Sequence, residues 1–321
     1  MSRPPFDTVA LIGIGLIGSS ISHGIRRSGL ARRIVGHAQS DATRQTALEL
    51  GLVESAFDSA ADAAAQADLV ILCVPVGACG TIAAGIASRL RAGTILTDVG
   101  SVKGAIVRDV APHVPPGVHF VPGHPIAGTE HSGPRSGFAE LFDGRWCVLT
   151  PPAGADENAV DRLKAFWQGL GSHVEVMTPD HHDMVLAITS HVPHLIAYNI
   201  VNTAAHLERV TASEVIKFSA GGFRDFTRIA ASDPTMWRDV FLNNKAAVIE
   251  MLGRFTEDLT ALQRAIRFDD GESLFRLFGE ARQIRRGIIQ AGQDTDAADF
   301  GRPHGAAQPQ TSLSAATKSR T

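Results

Sequence analysis

The segment VPGHPIAGTEHSG, residues 121–133, gathers groups able to do chemistry: two prolines stiffen it, three glycines loosen it, and His124 stands near its start. An imidazole takes or gives a proton near neutral pH without a large environmental shift, so His124 is a candidate general base. An isolated loop histidine is more often a turn residue, and its meaning rests on what stands around it. Four further groups qualify. Ser101 lies in DVGSVKG; His191 and His194 lie in SHVPH; Arg224 and Arg228 follow two glycines in GGFRDFTR; Trp237 lies in DPTMWRD. His191 and His194 have a metal-like spacing, but no third and fourth ligand accompany them, so no metal is expected.

The frame that positions these residues begins with TVALIGI, residues 8–14, a nearly all-apolar run of the kind buried on both faces of a parallel sheet. It leads into Gly13-Ile14-Gly15-Leu16-Ile17-Gly18, and residues 19–28 predict a helix ending at Gly29. In a GxGxxG turn between strand and helix, the first glycine permits the tight turn and the second admits pyrophosphate. The third allows close packing, and the helix N-terminus offers N–H groups to the anion. A dinucleotide site follows.

Its candidate residues are Gly13, Gly15, Leu16, Ile17 and Gly18, then His37 and Arg44, then Val74 and Pro75, then Gly100 and Ser101. A carboxylate about twenty positions past the glycines favours NAD. Ala38 stands there instead, and Arg44 either reaches a 2'-phosphate or sits in water, so NAD is expected with NADP possible. Asp41 is expected to cap the next helix. Runs 68–75 and 93–99 repeat the buried-strand pattern. Groups at the carboxyl ends of such strands meet although distant in sequence, as Ser101 and His124 would.

Residues 145–150 and 172–177 are two more candidate strands, and the first unit closes near residue 178. A helix over 181–202 is expected to break or bend near Pro193. His181-His182-Asp183 reads as a solvated helix start with Asp180 capping it, and His191 as a satisfied structural imidazole. Phe241, Val248, Met251, Phe255, Leu259, Leu262 and Ile266 mark one long helix of more than 25 residues, started by Asp233-Pro234. Leu274, Phe278, Ala281, Ile284 and Ile288 mark its return after Asp269-Asp270-Gly271. That much apolar face suits burial in a homodimer, with a self-contained bundle as the alternative. Residues 299–321, rich in Gly, Ala, Ser, Gln and Thr, are expected to be disordered.

Composition narrows the function classes. The 321 residues suit two domains, and 30 basic against 33 acidic residues leave no electrostatic footprint for nucleic acid. Only five of the basic residues are lysines, so carboxylate-gripping forks are plentiful and amines scarce. Cys73, Cys79 and Cys147 form no CxxC pair and read as packing residues in a reducing compartment. No signal pattern and no 18-residue apolar run is present, so a cytoplasmic protein without membrane partners is expected. Lys103 either serves cofactor phosphate or caps its turn.

Taken in order, GIGLIG, TDVGSVKG, GHPIAGTE, SHVPH, FRDFTRIAASDP and MWRD resemble the prephenate and arogenate dehydrogenases, the cyclohexadienyl dehydrogenases of tyrosine biosynthesis. The likeness runs from about Val9 to Gln290. It implies an α/β Rossmann-type dinucleotide-binding domain, residues 1–178, followed by an all-α dimerisation domain, residues 179–298. It also implies oxidation of a 4-hydroxycyclohexadiene, with hydride passing to nicotinamide as a ring carboxylate leaves as CO2. Carried over by position, His124 takes the ring hydroxyl proton while Ser101 shares that hydroxyl and orients the imidazole. His194 and Arg228 line the pocket for prephenate or arogenate, and Glu130 and Trp237 stand near its mouth. Two other readings are a hydroxyacid dehydrogenase with a helical second domain and a dinucleotide-binding protein without turnover. The first commonly uses a lysine for proton transfer, and no lysine here is suitably placed.

Overall fold

The computed structural model describes residues 4–129, 131–206, 214 and 217–290. Glu130 and the expected disordered tail lie outside the described residues. The strands β1 (Phe6–Ile12), β2 (Ala31–His37), β3 (Ser55–Phe57), β4 (Leu69–Leu72), β5 (Ile95–Asp98) and β6 (His119–Phe120) form one six-stranded sheet. Its order is β3-β2-β1-β4-β5-β6 and every pair is parallel. Successive side chains point to opposite faces, so Val9 and Leu11 enter one core while Ala10 and Ile12 enter another. Both faces are apolar because helices cover both.

One face is covered by α1 (Leu16–Ser28) and α6 (Glu157–Gly169), which bury Ile21, Ile25, Leu163, Phe166 and Trp167 against the strands. The other face carries α3 (Ala60–Ala64), α4 (Cys79–Ile86) and α5 (Lys103–Val110). Helix α2 (Asp41–Glu49) follows β2. Its N-cap is Ser40, with Asp41 as the first helical residue, so the expected cap is displaced by one position. There Asp41 still faces the favourable end of the helix dipole.

The segment expected to be a loop around His124 contains a short strand, β7 (Gly123–Pro125), in a second, three-stranded sheet with β8 (Trp146–Leu149) and β9 (His173–Val176). β7 runs antiparallel to β8, pairing His124 with Val148, and β8 runs parallel to β9. Backbone pairing on this strand fixes the direction of the histidine.

The helical part opens with α7 (Pro179–Leu186), passes through a π-helical turn at Ala187–His191, and continues as α8 (Val192–Ala205). The disturbance expected at Pro193 therefore falls on the turn before it. Pro193 has no N–H to continue the ladder, and a wider turn absorbs the mismatch. This stretch, Pro179–Ala205, is by length and composition long and apolar enough to cross a membrane, with a mean hydropathy of 1.4 over its most apolar window. It nevertheless buries His182, Asp183 and His191 in the protein.

After α9 (Gly221–Thr227) come α10 (Pro234–Asn243), α11 (Lys245–Arg267) and α12 (Gly271–Gln290). The expected single long helix is two, because Asn244 leaves helical geometry at φ −104 and ψ 33. The chain forms two compact units, Met1–Thr203 with Ile229–Thr260, and Ala204–Arg228 with Ala261–Thr321. Residue 178 falls between β9 and α7, and the helices directly beyond it belong to the first unit.

The glycine turn after β1 has steric reasons behind it. Gly13 has φ +104, and a Cβ there would lie 2.3 Å from the Cys73 carbonyl oxygen; one on Gly18 would lie 2.3 Å from the Gly13 carbonyl oxygen. Nothing lies within 4 Å of a Cβ on Gly15. Gly13→Ala should therefore lower the urea unfolding midpoint by more than Gly15→Ala does, measured by circular dichroism on the two variants side by side.

Candidate active site

In a parallel sheet of this order the strand sequence reverses between β1 and β4, and the carboxyl ends of the strands there open a crevice. Gly13, Cys73 to Pro75 and Val99 to Ser101 stand at those ends. Helix α1 starts at the second and third glycines with Gly15 as N-cap, no side chain bonded to its first N–H groups and no acidic residue in its first turn. Open space over Gly15 and an uncapped helix N-terminus suit the pyrophosphate of a dinucleotide. Leu16 and Ile17 continue the turn into the helix. At the end of β2, the His37 ring bonds the Phe57 carbonyl at 3.0 Å, and Arg44 returns to the carbonyls of Ala38 and Gln39. Val74 is half-buried and Pro75 exposed beside the crevice, while Gly100 is buried and Ser101 half-buried.

The strand end of β5 holds a buried ion pair. Lys103 Nζ meets Asp98 Oδ2 at 2.5 Å and donates to the Gly123 carbonyl at 2.6 Å, both side chains being fully buried. Asp98 also accepts from Gly100 N–H at 2.7 Å and Gly123 N–H at 3.2 Å. Neither a phosphate contact nor a cap describes Lys103. It ties the β5 turn to β7, one residue before His124.

His124 is 9% exposed. Its Nδ1 lies 2.8 Å from His182 Nε2, and His182 Nδ1 lies 2.8 Å from Asp183 Oδ1. The Asp183 carboxylate accepts the backbone N–H groups of Lys103 at 2.7 Å and Gly104 at 2.8 Å, the N-terminus of α5. The chain of bonds assigns the tautomers. A carboxylate only accepts, so His182 Nδ1 carries the proton and His182 Nε2 accepts from His124 Nδ1–H, leaving a lone pair on His124 Nε2. The imidazole is thus held by His182; the resemblance implied that Ser101 orients it.

His182 and Asp183 are the residues that sequence reasoning missed. They are buried where a solvated helix start was expected, and Thr178 rather than Asp180 caps α7 by accepting from His181 N–H. One signal was available: a polar HHD triplet followed by an apolar turn, with its first-turn cap already supplied by Thr178.

Burial pushes the His124 pKa well below its ordinary value, with the neighbouring His182, Lys103 and His191 adding in the same direction. His182 is lowered by burial, partly offset by its bond to Asp183. His191 is lowered to about 4, again chiefly by burial. All three are neutral at pH 7, which is the state a base requires.

Asn244 explains the break between α10 and α11. Its side-chain amide donates to the Asp183 carbonyl at 2.9 Å and lies 3.1 Å from His191 Nδ1. His191 was expected to be fully satisfied; with Nδ1 accepting, its Nε2 is a buried donor without a protein partner among the described residues. His194 bonds the Ser190 carbonyl through Nδ1 at 2.8 Å and stacks on Trp237 with ring centroids 3.6 Å apart. Trp237 is 7% exposed, so it is a packed wall rather than a rim. Arg228 is exposed where α9 passes into a 3-10 turn, in the second compact unit. Among the described residues no group of three or more His, Cys, Asp and Glu is placed to hold a metal. The cysteines match the packing role: Cys79 and Cys147 are buried and Cys73 half-buried.

Residues 21–176 match the family model for the prephenate dehydrogenase nucleotide-binding domain, and residues 178–280 match that for the prephenate dehydrogenase dimerization domain. The cyclohexadienyl dehydrogenase of Zymomonas mobilis is 39% identical over 87% of this chain and 95% of its own. The chain belongs to the prephenate dehydrogenase family. A second relative, the prephenate dehydrogenase of Bacillus subtilis, is 36% identical over 88% of this chain and 76% of its own length. Among solved structures, the Aquifex aeolicus prephenate dehydrogenase in complex with hydroxyphenyl propionate and NAD+ superposes with a TM-score of 0.82. It is 35% identical and covers 88% of this chain and 98% of its own. A Synechocystis arogenate dehydrogenase gives a TM-score of 0.75 at 26% identity, covering 88% and 99%.

The depressed imidazoles give the family fold here a pH signature. The unfolded chain takes up protons near pH 6.5 that the folded chain refuses until lower pH, so stability is complete above 6.5 and declines below it. For His191 the decline runs down to about pH 4. Urea midpoints measured from pH 7.5 to 4 should fall across that window, and His191→Gln should flatten part of the slope.

Proposed function

We propose that this chain catalyses the oxidative decarboxylation of prephenate, arogenate or both, giving 4-hydroxyphenylpyruvate or tyrosine, with NAD as the hydride acceptor and NADP as the alternative one. The observation that carries the reading is the histidine pair on a carboxylate, which leaves His124 Nε2 as a neutral, directed base in a protein with a dinucleotide turn. NAD, when bound, supplies the electrophilic carbon that takes the hydride.

The protein's own residues handle the rest. His124 Nε2 withdraws the proton of the ring hydroxyl as hydride leaves the same carbon, and the C–O bond gains double-bond character. The ring carboxylate departs as CO2, its bonding electrons enter the ring, the C–O bond returns to a single bond as the ring becomes aromatic, and His124 gives the proton back to the phenolic oxygen. The charge arriving on His124 is stabilised along the chain through His182 toward Asp183. General-base help of this kind contributes about 100-fold to 10000-fold.

Ser101, half-buried on the turn after β5, is assigned to the substrate hydroxyl and nicotinamide side. His194 against Trp237 is assigned to the ring, and Arg228 to a substrate carboxylate by its planar fork. Glu130 keeps its assignment near the mouth on the family position alone. Division at residue 178, homodimerisation and a cytoplasmic setting belong to the same proposal. Exposed Phe275, Phe278, Ile284 and Ile288 on α12 support the dimer, since so much apolar surface is rarely left in water. The hydroxyacid dehydrogenase alternative is disfavoured by Lys103, which is spent in a buried ion pair.

The test follows reduced nicotinamide absorbance with each substrate and each nucleotide; absence of reduction in all four combinations refutes the reading. Within it, His124→Asn should reduce kcat by on the order of 100-fold or more while nucleotide still binds. Asp183→Asn should also depress kcat, because an amide can donate to His182 and reverse both tautomers; near-wild-type turnover in either variant removes that residue from the relay. For Arg228→Ala a raised KM with kcat largely kept is expected, and an unchanged KM reassigns the arginine as structural.

A further inference from the structure

A second set of contacts lies at the β2 end of the nucleotide site, and its interpretation rests on the dinucleotide reading above. Ala38 occupies the position from which a carboxylate would read the ribose, and its side chain is buried. Arg44 folds back from α2 onto this point. Its Nη1 donates to the carbonyls of Ala38 at 2.7 Å and Gln39 at 3.2 Å, and its Nη2 meets Asp41 Oδ1 at 3.2 Å and Asp58 Oδ1 at 3.0 Å. Asp58 follows β3, whose register places Phe57 beside His37, and the His37 ring bonds the Phe57 carbonyl. Strand pairing therefore brings Asp58 to the end of β2.

Exposure separates the members of this cluster. The Arg44 side chain is 14% exposed, whereas those of Asp41 and Asp58 are 74% and 92% exposed. The guanidinium is the inner, occupied element and the carboxylates form its outer, solvated side. One cation and two anions leave a local surplus of negative charge. A ribose 2'-phosphate arriving here meets two carboxylates and an arginine whose terminal N–H groups are already engaged. A 2'-hydroxyl meets no such repulsion.

We propose that Asp41 and Asp58 are the residues that select NAD over NADP in this chain: they occupy and over-neutralise Arg44, supplying from α2 and the turn after β3 the charge that Ala38 lacks. Arg44 then braces the 38–39 carbonyls instead of gripping phosphate. Exposed ion pairs add little to folding, so the effect belongs to nucleotide choice rather than stability.

Titration calorimetry of the full chain with NAD+ and with NADP+ tests this without relying on turnover. Wild type should bind NAD+ more tightly. Asp41→Asn with Asp58→Asn should tighten NADP+ by about tenfold or more and change NAD+ by less than about threefold, with the melting temperature kept. Adding Arg44→Ala to that pair should remove the gain, since the freed arginine is its source. An unchanged NADP+ to NAD+ ratio in the double variant, or a gain that survives Arg44→Ala, overturns the assignment. Wild type that prefers NADP+ overturns it too while leaving the dehydrogenase reading intact, and wild type that binds neither nucleotide overturns both.

Discussion

One carboxylate organises this site. Asp183 accepts the first two N–H groups of α5 and the Nδ1–H of His182, so a helix that begins at the cofactor sheet and one that begins the all-helical part share an anion. A helix N-terminus carries about half a positive charge, and an anion held there is fixed in position. From that point the direction of every later hydrogen bond is forced. Had the anion been replaced by a donor, His182 would offer a proton toward His124 and the lone pair of that imidazole would fall on Nδ1 instead of Nε2.

Burying this arrangement demands compensation, and Lys103 shows how it is met. A fully buried ammonium and carboxylate are expensive to desolvate, and removing one partner of such a pair costs about 3–5 kcal/mol because the other is stranded. The pair is kept with further partners on both sides: Asp98 accepts from two backbone N–H groups, and the ammonium donates to the Gly123 carbonyl. What it contributes beyond stability is position. Burial keeps the His124 imidazole neutral and the cation nearby adds to it, while the bond of that cation to the preceding residue fixes where β7 enters the site.

The legible part of the sequence was the local part. GIGLIG sits between an apolar run and a helix, and the steric reasons for its glycines operate within a few residues of each other, so pattern alone recovers them. His182 and Asp183 were misread because their environment is made by α5, some eighty residues earlier, and nothing in HHD itself distinguishes a buried relay from a wet helix start. The supposed single helix from 234 to 266 failed at Asn244 for a similar reason. Its apolar spacing continues across the break, but the Asn244 side chain is drawn to Asp183 and His191, and the backbone yields. Neighbourhood decides in both cases, and neighbourhood is what periodicity does not carry.

Under the proposed mechanism, the choice of a histidine relay over a single stronger base follows from the reaction. A buried lysine or lone carboxylate would need a large shift to be both neutral enough to enter the site and basic enough to act, while an imidazole begins near the working pH. Depressing it by burial keeps it unprotonated, yet the same burial penalises the imidazolium that forms when it acts. The His182–Asp183 arm answers that second demand, since charge arriving on His124 meets a polarisable neighbour backed by an anion rather than apolar side chains. Desolvation therefore readies the base, and the relay keeps that readiness from becoming a barrier.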